Sequence, residues 1–406
     1  MRLRRSALVF LPVLAIAGLS SSYILPIDDD AIRYTRGPLN DPVARLQERL
    51  DRGELRLKYE DEFGYLRSVL NELKVPVSSQ VLVFSKTSFQ ASRIAPRMPR
   101  ALYFNDAVTV GFVRTGEVLE FASLDPKQGI IFYTLDQERS SRPRFDRRDV
   151  CLQCHQSGAT MGVPGLLVRS VTPDRTGMPV MSAGGFITNH TSPLKDRWGG
   201  WYVSGTTGTQ QHMGNAVADN PENDEKLPIT EGHQNVTSLA HFIDTGAYLS
   251  PHSDIVALMT LEHETQMVNL MTRVGWEARL GHPINDAVEE LLDYMLFTEE
   301  TKLTAQVKGT SPFAAEFQAV GPRDPEGRSL RDFDLKTRMF RYPLSFMIYS
   351  DEFDNMPVVV KERLFLRLKE VLGGKDRSPR FASLSAADRK AVLEILQATK
   401  QMSLVP

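Results

Sequence analysis

Apolar residues recur at helical spacing near both ends of the chain. Between residues 42 and 75, leucine and aromatic positions follow one another mostly at steps of three or four, which predicts helix with a break near Gly53. The same spacing returns after residue 236. There it predicts four helices, which begin at Ser253, Asn285, Pro357 and Ser385 and end near Val274, Phe297, Gly373 and Lys400.

Four segments between these helical regions have the composition of β-strands. They are short and rich in β-branched and aromatic residues, and they cover residues 80–85, 107–113, 118–122 and 130–135. Turn-forming pairs such as Thr115-Gly116 separate the later segments, which is typical of antiparallel hairpins. We therefore expect a small antiparallel sheet.

The middle of the chain, from 150 to 235, is rich in glycine and shows little periodicity. We expect a loop-rich region there, with short strands near 166–171 and 200–204. The whole pattern predicts an α+β fold: N-terminal helices and a small antiparallel sheet, a loop-rich middle and a helical C-terminal third. We expect four segments: a signal at residues 1–22, an α/β region at 23–136, a region with the motif described below at 137–235, and a helical region at 236–406.

The first 22 residues have the pattern of an export signal. Arg2, Arg4 and Arg5 precede an apolar run over residues 7–19, and Ala15-Ile16-Ala17 offers a cleavage site of the A-x-A kind. Such a run is too short to span a bilayer, which takes ~20 residues. We expect a periplasmic or otherwise exported protein; an uncleaved signal that serves as a membrane anchor is the alternative.

The composition and the absence of two common motifs argue against nucleic-acid binding, nucleotide binding by a P-loop and serine hydrolysis. The chain has 406 residues, 42% of them hydrophobic and 24% charged, which is ordinary globular composition. Its net charge of -2 gives no reason to expect a nucleic-acid partner. The sequence contains neither a phosphate-binding P-loop nor the G-x-S-x-G motif of serine hydrolases.

Both cysteines of the chain lie in one pentapeptide, Cys151-Leu152-Gln153-Cys154-His155. C-x-x-C-H is the pattern that attaches c-type haem, because two thiols bond the vinyl groups at one edge of the porphyrin and the imidazole binds the iron. A helical turn that begins at Cys151 places all three groups correctly. The sequence thus predicts one covalent haem c held by Cys151, Cys154 and His155, with His155 as axial iron ligand.

Three other uses of these cysteines compete with haem attachment. A thioredoxin-like redox pair requires a strand–helix context in a βαβ unit, which the pattern does not indicate. A zinc site requires two more ligands, and the sequence has neither a second C-x-x-C nor an H-x₃-H. A disulfide across two intervening residues is strained.

The motif resembles that of c-type cytochromes, and the resemblance implies a covalent haem with His155 as axial ligand. The wider run, with Trp198-Gly199-Gly200-Trp201-Tyr202 and His212-Met213-Gly214-Asn215, resembles large single-haem cytochrome-domain proteins exported by bacteria. This resemblance implies no particular substrate.

The second axial ligand would decide the chemistry of such a haem. His190 and His212 lie in glycine-rich, non-periodic chain, where burial for packing alone is not expected, and we predict that one of them lies nearer the iron than any methionine. Met178 is the rival, because Gly177-Met178-Pro179 resembles the Met-Pro loop of small cytochromes. His263 falls on an apolar helix stripe and is more typical of a core residue.

Three functions are compatible with this pattern. The first is electron transfer by an exported c-type cytochrome, with a redox partner protein or a small-molecule electron donor or acceptor as partner. The alternative is a haem enzyme, peroxidase- or oxygenase-like, with an open or displaceable distal face, because 406 residues exceed what one redox haem requires. A structural or sensing haem protein is the third.

Overall fold

The computed structural model describes residues 23–219 and 227–400, and the described part has the predicted α+β class. Its α-helices are α1 (Pro42–Asp51), α2 (Leu66–Glu72), α3 (Leu152–His155), α4 (Ile255–Arg279), α5 (Asn285–Met295), α6 (Phe313–Ala319), α7 (Asp351–Asn355), α8 (Val358–Leu372) and α9 (Ala386–Thr399). Its strands are β1 (Val81–Val83), β2 (Arg100–Asn105), β3 (Val108–Phe112), β4 (Val118–Asp125), β5 (Gly129–Asp136), β6 (Phe145–Arg147), β7 (Val168–Val171), β8 (Gly185–Thr188), β9 (Trp201–Tyr202), β10 (Gly205–Thr206) and β11 (Lys308–Gly309).

A seven-stranded antiparallel sheet is the centre of the fold. Its strand order is β6-β5-β4-β3-β2-β1-β9. Side chains close its tight turns: Asn105 Oδ1 accepts the backbone N–H groups of Ala107 and Val108, and Asp125 Oδ1 accepts those of Lys127 and Gln128. Short connections of this kind join antiparallel neighbours, as the spacing of the strands predicted.

Both faces of the sheet are buried. Leu102, Ala122 and Phe132 point to the face covered by α4, while Tyr103 and Phe121 point to the face covered by the N-terminal segment, α1 and α2. Alternate residues of a strand point to opposite faces, so two covered faces require apolar residues at nearly every position. This explains why the strand segments are recognisable from composition rather than from alternation.

The sheet differs from the predicted one in its extent. The predicted strands at 80–85, 107–113, 118–122 and 130–135 correspond to β1, β3, β4 and β5. Strand β2 was not predicted, although it lies between β1 and β3. The sheet also takes β6 and β9 from the segment predicted at 137–235, so the boundary predicted at residue 136 falls inside the sheet.

The helices follow the predicted pattern with local differences. The stretch from 42 to 75 contains two short helices, α1 and α2, and Gly53 lies just after the first with a φ of 69°. The cap of α4 is Asp254, whose carboxylate accepts the N–H groups of Val256 and Ala257. Ser253, the predicted cap, instead donates its hydroxyl to the carbonyl of Tyr202 in the sheet.

Helix α4 is the central helix of the described part of the chain, and 21 of its 25 residues are buried. It carries polar side chains into this interior, among them Glu262, His263, Asn269 and Thr272. Buried polar groups require partners, and each of these four has a hydrogen-bond partner outside the helix. The helix therefore connects distant parts of the chain through hydrogen bonds.

The predicted signal, residues 1–22, lies outside the described residues. Among the helices of the described residues, none has the length and apolar character needed to cross a membrane.

Candidate functional site

The C-x-x-C-H motif lies in a short helical segment near the surface. A turn of 3-10 helix over Asp149–Cys151 leads directly into α3. Because residues three apart on a helix lie on the same side, the thiols of Cys151 and Cys154 are presented together. Both cysteines are free; Cys151 is half-buried and Cys154 is exposed.

Two contacts orient the imidazole of His155. Its ring packs on Phe132 of β5, with 4.8 Å between ring centroids, and its Nδ1 lies 2.9 Å from the carbonyl oxygen of Gly165. Since a carbonyl oxygen only accepts, Nδ1 carries the proton and Nε2 carries the lone pair. Burial lowers the pKa of His155 and so favours the neutral ring. This is the usual state of a metal-ligating histidine, whose other nitrogen donates to a carbonyl or carboxylate.

The carbonyl that accepts from His155 is itself fixed by α4. Asn269 is buried, and its side-chain amide accepts the N–H of Leu166 at 3.0 Å and donates to the carbonyl of Leu166 at 2.7 Å. A Cβ atom on Gly165 would lie 2.1 Å from Asn269 Oδ1, so only glycine fits at that position. The segment that orients His155 is therefore clamped to the central helix.

Charged side chains lie near the motif, on the α4 face of the sheet. Arg100 of β2 and Glu120 of β4 form an ion pair of 2.7 Å. The charges of Arg100 and Arg169 add to the effect of burial in lowering the pKa of His155. Arg169 is exposed and forms no ion pair with any described residue. Arginine pairs well with carboxylates, such as the two propionates that a haem carries.

Two other arginines differ in their availability for such a role. Arg148, three residues before Cys151, donates its Nε to the hydroxyl of Thr134 at 2.8 Å, next to the motif on the same face of the sheet. Arg197 is instead buried and forms an ion pair of 3.0 Å with Glu262 of α4. Its charge is therefore paired inside the protein and is not available to a propionate.

Several large apolar side chains of the segments between residues 89 and 186 are exposed. Phe89 lies between Ser88 and Gln90, which both donate to Glu120. Phe186 of β8 pairs with Ser170, next to Arg169. The exposed fractions are 69% for Phe89, 51% for Val150, 50% for Met178, 86% for Met181 and 43% for Phe186.

The structure places His190, the first predicted distal ligand, in the interior. Its ring stacks on Tyr294 and Phe297, with centroid distances of 3.9 and 4.6 Å, and its Nδ1 lies 2.9 Å from Nδ1 of His263. Burial lowers the pKa of His190 well below its ordinary value. Within the described part of the chain, His190 forms no hydrogen bond or ring contact with the motif.

His212, the second predicted distal ligand, is also buried. It packs beside Trp198, at 5.5 Å between ring centroids, and its Nδ1 accepts the N–H of Gly214. Burial lowers the pKa of His212 to about 4. Met178, the rival, is half exposed in a loop where Asp174 accepts its N–H. Which of these three residues lies nearest the iron stays a prediction.

Sequence reasoning missed one further arrangement, a chain of hydrogen bonds through α4. Ser345 Oγ lies 2.7 Å from Nε2 of His263, whose Nδ1 contacts His190. A serine bonded to a histidine that a third group orients is the arrangement of an activated nucleophile. Here all three residues are buried, and Ser345 also accepts the N–H of Met347 to cap a 3-10 turn. This arrangement is therefore a stabilising core network.

The described residues, the motif included, hold no group of three or more His, Cys, Asp or Glu side chains placed to bind a metal ion together. Comparisons of the chain with protein-family models, with curated proteins and with solved structures found no match. The interpretation of the site accordingly rests on its residues.

Proposed function

We propose that this chain is an exported c-type cytochrome that carries one covalent haem on Cys151, Cys154 and His155 and transfers electrons. The observation that carries the proposal is the state of His155 beside two free thiols. Its Nδ1–H is bonded to the carbonyl of Gly165, which leaves the lone pair of Nε2 for a metal. Bound there, haem would supply a reversible one-electron centre at its iron.

The surroundings of the motif fit a haem in two further respects. The exposed apolar side chain of Val150, next to Cys151 in the chain, offers a surface that a porphyrin would cover. Arg169 has no ion-pair partner among the described residues and could receive a propionate. The residues present therefore fit the group.

Electron transfer is favoured over other uses of haem by the exposure of Cys154. A porphyrin bonded to this exposed thiol would be open to approach by a redox partner protein or by a small electron donor or acceptor. The proposed export agrees with this chemistry, because thioether attachment of haem occurs outside the cytoplasm.

The proposal is tested on the full chain, expressed with haem-maturation machinery in a bacterial host. After acid–acetone extraction, we expect the pigment to stay with the protein and to give the pyridine haemochrome bands of thioether-linked haem. The double variant Cys151→Ala/Cys154→Ala should carry no covalent pigment, whereas the exposed His241→Ala should behave as the native chain does. Pigment that extracts freely, or an absence of iron porphyrin, would overturn the proposal.

A haem enzyme is the second candidate, and the burial of His190 and His212 favours it. Among the contacts of the described residues, neither ring touches the motif, and each has a nitrogen engaged in a hydrogen bond. If no side chain fills the distal face, a small molecule can bind there. Carbon monoxide added to the reduced protein separates the two functions: an unchanged spectrum favours electron transfer, and a shifted band favours catalysis or sensing.

A further inference from the structure

The α4 face of the seven-stranded sheet is apolar where the helix covers it and charged at one end. Leu102 of β2 and Ala122 of β4 belong to the apolar part. Residues two apart on a strand point to the same face, so Arg100 and Glu120 continue these two rows. They form an ion pair of 2.7 Å, and their side chains are 21% and 18% exposed. Solvent therefore screens these charges only in part.

The sheet register places Glu120 near the motif. The ring of His155 packs on Phe132 of β5. Glu120 lies directly opposite Thr134, two residues further along β5. It is therefore a diagonal neighbour of Phe132, and such neighbours are ~7–8 Å apart. Phe132 is thus in contact with His155 and has Glu120 as its neighbour in the sheet.

Three side chains fix the carboxylate of Glu120. Ser88 Oγ, Gln90 Nε2 and Arg100 Nη1 donate to it at 3.2, 2.9 and 2.7 Å. Gly111 lies directly opposite Glu120 in β3, the strand between β4 and β2. Because glycine has no side chain, Arg100 reaches across β3 to the carboxylate. The negative charge is therefore held in one place.

The electric field of this carboxylate extends to the motif. Burial raises the pKa of the Cys151 thiol, and the charge of Glu120 raises it further. Arg148 acts in the opposite direction, and it donates to Thr134, directly opposite Glu120. Oxidised haem iron carries one positive charge more than reduced iron. A carboxylate near the iron therefore stabilises the oxidised form, and an arginine stabilises the reduced form.

We propose that Arg100 and Glu120 tune the midpoint potential of the haem through space and with opposite signs. This inference rests on the proposed function, since it concerns the haem on His155. Glu120 lowers the potential because it favours the oxidised iron, and Arg100 raises it. Because the two charged groups lie 2.7 Å apart, their effects largely cancel in the native chain. Removal of either charge exposes the effect of the other.

The test is a redox titration of the full chain, matured with haem and followed by its absorption spectrum. Glu120→Gln removes the negative charge and nearly keeps the shape. At a given potential, we expect it to raise the ratio of reduced to oxidised haem about tenfold, which is a shift of about 59 mV for one electron. Arg100→Gln should shift the potential by a similar amount in the opposite direction.

Three further variants separate charge from structure. The double variant Arg100→Gln/Glu120→Gln should return close to the native potential, because both charges are gone. Arg100→Lys keeps the positive charge and should also stay close to it. Glu117→Gln is the matched control, because Glu117 lies just before β4 in an exposed ion pair with Arg93; its potential should equal that of the native chain.

The pigment of each variant separates this inference from the proposed function. If covalent pigment is present but both single variants keep the native potential, or shift it in the same direction, the role of the pair is overturned and the proposed function stands. If Glu120→Gln loses its pigment, the residue has a structural role and the inference is also overturned. A native chain without pigment overturns the proposed function, and this inference with it.

Discussion

The side-chain amide of Asn269 forms two hydrogen bonds with the backbone of Leu166, one to its N–H and one to its carbonyl oxygen. The preceding carbonyl, that of Gly165, accepts from Nδ1 of His155. The central helix is thereby connected to the orientation of the histidine that we propose as iron ligand, through one peptide segment.

The first prediction concerns this connection. Asn269→Ala should leave haem covalently attached and raise its midpoint potential, because a looser Gly165 carbonyl makes His155 a weaker electron donor. The variant should also lose about 1–3 kcal/mol of unfolding free energy, since Leu166 is left with unpaired backbone groups. Potentiometry and chemical denaturation measure the two effects. Gln266→Ala on the same helix is the control, and an unchanged potential in Asn269→Ala would contradict the positioning role.

The second prediction concerns the distal face of the proposed haem. His190→Ala removes a stacked, hydrogen-bonded ring from the core and should cost about 2–4 kcal/mol of unfolding free energy whether or not this residue binds iron. The absorption spectrum decides its role, because loss of a true ligand converts low-spin iron to high-spin. His212→Ala, Met178→Ala and Met181→Ala complete the series. Conversion in either histidine variant supports the sequence prediction, while conversion only in a methionine variant refutes it.

The third prediction concerns pH. The pKa of Glu352 is raised to about 8 by burial, so its neutral form contributes stability that is full below its ordinary pKa near 4.5. This contribution is lost as the pH rises through about 8. Glu352→Gln cannot ionise, and its unfolding free energy relative to the native chain should rise by about 3–5 kcal/mol between pH 5 and pH 9. Denaturation at both pH values measures this change; the exposed Glu362→Gln should show no such trend.

The fourth prediction concerns the buried ion pair of Arg197 and Glu262, whose side chains are 4% and 0% exposed. Arg197→Met leaves the Glu262 carboxylate without its cation and should cost about 3–5 kcal/mol of unfolding free energy. The double variant with Glu262→Leu should recover part of that loss, because no uncompensated charge remains. Arg175→Ala, from the exposed pair with Asp219, should change stability by less than about 1 kcal/mol. Equal effects of Arg197→Met and Arg175→Ala would show that burial adds nothing.

The sequence by itself determined what depends on neighbouring residues. The α+β class, the limits of α8 between Pro357 and Gly373, and the Ser385 cap of α9 follow from local spacing and capping chemistry, and the structure has them. The helical turn at the C-x-x-C-H motif was expected from the spacing that haem attachment requires, and the structure has it.

Only the tertiary structure decided what depends on distant contacts. Strand β2 was not predicted from its composition; it becomes a strand because β1 and β3 both pair with it. His190 lies in a non-periodic loop where the sequence offered no reason to expect burial by packing, and Tyr294 and His263, 104 and 73 residues away, bury it. Asn269 is an ordinary helix residue in the sequence, and only the approach of Leu166, 103 residues earlier, gives it a place beside the motif. Local patterns specify elements, whereas burial is a property of what packs on them, and that depends on chain segments far away in the sequence.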